Sequence, residues 1–177
     1  MLRILFYGFE FEKYLVISHH FNKLGISVAC VKNPNSKVKS ALRLEDRKFA
    51  KVGDEPILIC DGISADNLRL LFGETQGLIT YDGIIVTVTP TNREWKIKKL
   101  AHEVKCEKEA FHKIELLKIM LDKCGRIDIS DAKAEEMVYL DKWISKATDI
   151  CRLQNTDLAE INDVMEALSK IMKEYHI

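Results

Sequence analysis

Gly83-Ile84-Ile85-Val86-Thr87-Val88-Thr89-Pro90 decides how this chain folds. The β-branched run between Gly83 and Pro90 reads as a buried strand. Pro90 ends it, because proline cannot donate to a ladder and holds the residue before it extended. Beyond Pro90 the chain contains no further proline and one glycine, Gly125. No strand-like run follows, so the sequence divides here into a part with strands and a part without them.

Upstream of the divide, strand-like runs alternate with amphipathic stretches. Arg3-Ile4-Leu5-Phe6-Tyr7 stops at Gly8, Ile26–Val31 is closed by Asn33-Pro34-Asn35, and Pro56–Cys60 turns at Asp61-Gly62. Between them, Tyr14, Leu15, Ile17, Phe21 and Leu24 recur at helical intervals before Gly25, and Leu68, Leu71 and Phe72 mark a second helix. Ser36–Lys51 is basic and weakly helical. Strands separated by helices predict an α/β domain over residues 1–92, with about four mainly parallel strands and flanking helices. A faint internal repeat relates the run before Gly8 to the run before Gly62, each followed by a helix and a strand; the match is mostly strand composition, which ordinary β-α-β convergence explains more simply than duplication.

Residues 93–177 read as an α-helical C-terminal region, a three-helix bundle or a dimerisation element. Ile97, Leu100, Val104, Phe111, Ile114, Leu117, Leu121 and Cys124 trace one stripe, and Met137, Leu140, Ile144, Ala147 and Cys151 a second. Leu158, Ile161, Met165, Leu168, Met172 and Tyr175 alternate steps of three and four, the spacing of a helix–helix seam.

Composition limits the function classes. The 177 residues balance 27 Lys+Arg against 27 Asp+Glu, and 47% are hydrophobic. A chain of this length buries enough surface to fold without a metal or disulfide staple. Its neutrality gives no bulk attraction to nucleic acid or to an anionic membrane. The zero is a cancellation of blocks, with +6 over residues 1–53, −5 over 54–92, +3 over 93–124 and −4 over 125–177. Such blocks can dock on one another within a chain or between two copies. Five cysteines without C-x-x-C spacing suggest neither a disulfide framework nor a zinc knuckle. With no membrane-length apolar run and no signal-peptide layout, the expectation is a reduced, cytoplasmic protein.

The candidate site lies around Thr89-Pro90-Thr91-Asn92-Arg93-Glu94-Trp95. Thr91-x-x-Glu94 spells a capping box that would start the long helix. A capped helix N-terminus at the carboxyl end of a strand turns amides toward the crevice where open α/β sheets bind ligands. A mainly parallel sheet would gather Glu10, Asp61, Ser64, Thr89, Thr91, Asn92 and Trp95 on that edge, where they would suit a small anionic ligand. Asp61 also stands where a receiver domain carries its phosphoacceptor, but Tyr7-Gly8-Phe9 replaces the acidic pair such a domain needs for magnesium.

Other chemistry finds no complete set of residues. Neither a phosphate loop, a dinucleotide glycine fingerprint nor a nucleophile elbow occurs. His102 with Cys106, and Glu109 with His112, each place two ligand types one helical turn apart, and two ligands do not make a metal site. Lys37, Lys39, Arg43, Arg47, Lys48 and Lys51 form a basic connector that reads as a solvated face. No cofactor, metal, membrane or nucleic-acid partner is therefore expected.

From Pro56 to about Glu103 the chain resembles an uncharacterised bacterial family, the domain of unknown function numbered 3783. The resemblance rests on Ile57-Leu58-Ile59, Leu68, Leu71 and Phe72, and above all on Val88-Thr89-Pro90-Thr91-Asn92 with Trp95, Ile97, Leu100 and Val104 behind it. It implies a small bacterial protein without an assigned activity. The function expected from the residues is a non-enzymatic binding or regulatory module that self-associates as a homodimer. The competing class is a small-molecule enzyme or sensor using the strand-end crevice.

Overall fold

The computed structural model of the chain describes residues 2–43, 48–73, 81, 83–130 and 132–175. Its elements run β1 (Arg3–Tyr7), α1 (Phe11–Lys23), β2 (Ser27–Cys30), α2 (Val38–Ala41), β3 (Ile57–Asp61), α3 (Ala65–Gly73), β4 (Ile84–Thr87), a 3-10 turn (Asn92–Glu94), α4 (Ile97–Cys124), α5 (Ala134–Leu153) and α6 (Leu158–Glu174). The architecture is a four-stranded sheet with flanking helices, followed by a helical C-terminal region. Two compact units divide the chain between Val104 and Lys105, inside α4.

In the first unit the strand order is β2-β1-β3-β4. The sheet is mixed, which corrects the expectation of mainly parallel strands: β1 pairs β2 in parallel and β3 pairs β4 in parallel, but β1 and β3 run antiparallel. The physical reason lies in what a helical crossover constrains. A helix that runs back along the sheet returns the chain to the edge where the first strand began and so makes the two strands it joins parallel. The helices α1 and α3 do this, whereas the β2–β3 connection carries only the four-residue α2, and β3 begins at the edge where β2 ends.

Both faces of the sheet are covered, which is why its strands are apolar without alternation. Ile4, Phe6, Val28, Cys30, Leu58 and Cys60 point to the face that carries Tyr14, Ile17 and Phe21 of α1 and Leu68 and Phe72 of α3. Leu5, Ala29, Ile57, Ile59 and Val86 point to the other, beneath Val38 and Ala41 of α2 and Ile97, Leu100 and Ala101 of α4. Among the described residues of Ser36–Lys51, the weak helix expected there is α2, whose Val38 and Ala41 are core residues; Leu44–Arg47 lie outside the described residues.

The same order of elements occurs twice. Each β-α-β pair leaves its second strand through a proline turn and crosses to the second face. There the two exits meet: the Val38 amide donates to the Trp95 carbonyl at 3.0 Å and the Ile97 amide to the Ser36 carbonyl at 3.0 Å. The glycine after the first strand of each pair has positive φ, +74° at Gly8 and +82° at Gly62. Around Gly8 the backbone closes tightly, its amide donating to the Val52 carbonyl at 2.9 Å.

The second unit packs the later part of α4 with α5 and α6. Its core contains Ala110, Ile114 and Leu117 of α4, Leu140, Ala147 and Ile150 of α5, and Ile161, Val164, Leu168 and Ile171 of α6. The α6 seam read from spacing is spent here, with Leu158, Met165, Met172 and Tyr175 packed against the same core. Asp157 caps α6, its Oδ1 accepting from the amides of Ala159 at 3.0 Å and Glu160 at 3.3 Å.

Candidate functional site

The antiparallel junction divides the expected site between two edges. Tyr7, the last residue of β1, pairs with Ile57, the first of β3; Arg3 pairs with Asp61. Glu10 therefore follows the edge where β3 begins, while Asp61, Ser64 and Thr89 lie beyond the opposite edge. At about 3.3 Å per residue, five-residue strands keep those edges well over 10 Å apart. Glu10 forms an ion pair with Lys51. That contact holds the Lys51 ammonium above its usual pKa, chiefly through the hydrogen bond.

At the β3–β4 edge the structure brings Asp61 to Arg93, with Arg93 Nη2 donating to Asp61 Oδ2 at 2.9 Å. The side chains are 26% and 48% exposed, so the carboxylate is the sheltered partner. Ser64 caps α3, its Oγ accepting from the Asn67 amide at 3.2 Å. Thr89 and Asn92 clasp each other: the Thr89 amide donates to Asn92 Oδ1 at 2.8 Å and the Asn92 amide to Thr89 Oγ1 at 3.2 Å. Asn92 Nδ2 donates to the Thr87 carbonyl at 3.0 Å. Both ends of the Asn92 amide are thus used to bend the chain away from β4.

This clasp replaces the expected capping box. Thr91 makes no side-chain cap, and the 3-10 turn ends at Glu94 before the chain becomes extended at Trp95. The long helix starts later, at Ile97. Asn92 closes the strand end because its carboxamide holds acceptor and donor on separate atoms, so it meets the Thr89 amide and the Thr87 carbonyl at once. Thr91 is exposed. Trp95 lies on the second face of the sheet with Lys99 Nζ 4.4 Å from its ring centroid, away from the Asp61 edge.

Glu94 binds the basic connector. Its two oxygens take Lys39 Nζ at 2.7 Å and Lys37 Nζ at 3.1 Å, and these hydrogen bonds, Lys39 first, lower its pKa below the ordinary carboxylate value. Sequence patterning does not single out Arg93, Lys37 and Lys39 as the partners of Asp61 and Glu94. The available signal was the alternation of charge blocks, which predicts docking but not which residues meet.

The described residues contain no group of three or more His, Cys, Asp and Glu placed to hold a metal. His102, Cys106, Glu109 and His112 all lie on α4. Cys60 is sealed in the sheet, where burial pushes its thiol pKa up to about 12. Burial also raises Cys30, Cys124 and Cys151, so these thiols are poor nucleophiles at neutral pH. No described helix is long and apolar enough to cross a membrane.

Fold and edge together define a mixed α/β unit whose strand ends are closed by ion pairs and a side-chain clasp, joined through α4 to a three-helix unit. No family model, curated protein or solved structure matches the chain.

Proposed function

We propose that this chain is a cytoplasmic, non-enzymatic binding or regulatory module that self-associates as a homodimer. One observation carries the reading: Phe11, Leu15 and Val16 on the outer face of α1 are 49%, 54% and 52% exposed. Three large apolar side chains within six residues of one short helix are an exposed cluster of the kind that marks interaction surfaces. The α6 seam offers itself less, because its own chain occupies it. The resemblance along Pro56–Glu103 fits a small bacterial protein and adds no activity.

Light scattering or sedimentation of the full chain tests this directly. The mass should rise from 20.3 kDa toward twice that value with concentration in the micromolar range. A strict monomer at high micromolar concentration overturns the reading. The alternative, a small-molecule enzyme or sensor, draws support from the half-exposed Arg93 beside Thr89, Thr91 and Asn92. Saturable inorganic phosphate binding that Arg93→Ala removes would favour it.

A further inference from the structure

We infer that α1 is a self-complementary docking surface, on which a second copy of this chain lays its own α1 antiparallel. The inference rests on the self-association proposed above and specifies where it occurs.

The face opposite the core of α1 carries both the apolar groups and the charges such a pairing needs. Tyr14, Ile17 and Phe21 turn inward; Phe11, Glu12, Leu15, Val16, His19 and Lys23 are exposed on the opposite side, with Lys13 and Asn22 exposed at its margins. Leu15, Val16, His19, His20 and Lys23 line a shallow concavity of about 500 Å³. Glu12 stands in the first turn and Lys23 in the last. Neither has an ion-pair partner among the described residues. Charges of opposite sign at the two ends of one face are complementary to themselves under a two-fold rotation.

The register follows from these positions. Two copies of α1 crossing antiparallel, with their centres between Ile17 and Ser18, set Glu12 of each copy opposite Lys23 of the other. The same register sets Val16 of each copy opposite His19 of the other, on either side of the two-fold axis, with Leu15 opposite His20 next to them. A parallel pairing would instead oppose Glu12 to Glu12 and Lys23 to Lys23. A helix of 13 residues spans about 20 Å, and one such face is small beside a standard interface. The expected association is therefore micromolar.

Sedimentation equilibrium of the full chain provides the test, with circular dichroism confirming that each variant folds. Val16→Asp should weaken association about tenfold or more, because it places a charge at the centre of the apolar patch. Glu12→Lys and Lys23→Glu should each weaken it several-fold, since either change creates two like-charge contacts in the symmetric pair. The double variant, with both charges reversed, should recover to within about twofold of the original. Association unchanged by Val16→Asp overturns the α1 surface while leaving self-association standing. Loss with Val16→Asp but no recovery in the double variant overturns the antiparallel register. A monomeric parent chain removes this inference together with the reading on which it rests.

Discussion

The two β-α-β pairs of the first unit use the same plan and close their strand ends differently. After β1 the closure is made by backbone: a Cβ added at Gly8 would lie 2.1 Å from the Glu55 carbonyl oxygen. After β4 it is made by side chains, with Asn92 holding Thr87 and Thr89 and Arg93 holding Asp61. Backbone closure is intolerant of substitution, because the chain itself must move. Side-chain closure can be exchanged at modest cost, and an edge of that kind can be remodelled without disturbing the sheet.

The sharpest way to break this comparison is alanine at the glycine of each pair. Gly8→Ala combines a left-handed φ of +74° with overlap on the Glu55 backbone. The expected loss is about 3 kcal/mol, roughly half from the backbone conformation and half from the forced displacement. Gly62→Ala carries the conformational cost at φ +82°, about 1 kcal/mol. Urea unfolding in a Trp143→Phe background, where Trp95 reports the sheet unit, measures both. Equal losses would mean that the first strand end is no more tightly closed than its counterpart.

The next test compares the two proline turns. Asn92→Ala removes two side-chain hydrogen bonds and leaves the Thr89 amide and the Thr87 carbonyl to water, for an expected loss of about 1–2 kcal/mol. In the first exit, the Asn33 side chain accepts from the Asn35 amide at 2.9 Å, and Asn33→Ala should cost about 0.5 kcal/mol. The same urea measurement separates them. A larger loss at Asn33 would show that the first exit, not the clasp at Asn92, fixes how the chain crosses to the second face.

How much of this was legible in the sequence varies with the physics involved. Periodicity located α1 because Tyr14, Ile17 and Phe21 all face one core. It located α6 because Ile161, Leu168 and Ile171 do the same. Strand direction was not legible: residues buried on both faces fit a parallel or an antiparallel neighbour equally well, and the basic stretch between β2 and β3 does not show that its helix is too short to carry the chain back along the sheet. That one ambiguity separated Glu10 from Asp61, Thr89 and Asn92. On α4 spacing alone overstates the buried stripe, since Phe111 is 41% exposed although its spacing matches buried Ile114 and Leu117. At Thr91 the local pattern was present, but a stronger hydrogen-bonding side chain stood one residue later.

The smallest expected effect concerns the place where the two exits meet. Lys37 and Lys39 belong to the first exit and Glu94 to the second, so their ion pairs join the repeated halves across the second face. The bonds to Lys39 and Lys37 lower the pKa of Glu94 in the folded chain. Its contribution to stability is therefore present above the unfolded carboxylate pKa of about 4.3 and disappears as pH falls through the lower folded value. Glu94→Gln should lower the thermal midpoint slightly at neutral pH, by an amount that shrinks in high salt because all three groups are solvent-accessible. In acid, below the folded pKa, the two proteins should melt together. A difference that persists there would show that Glu94 acts through packing, and that the backbone pairing of Ser36 and Val38 with Trp95 and Ile97 holds the exits together without help from charge.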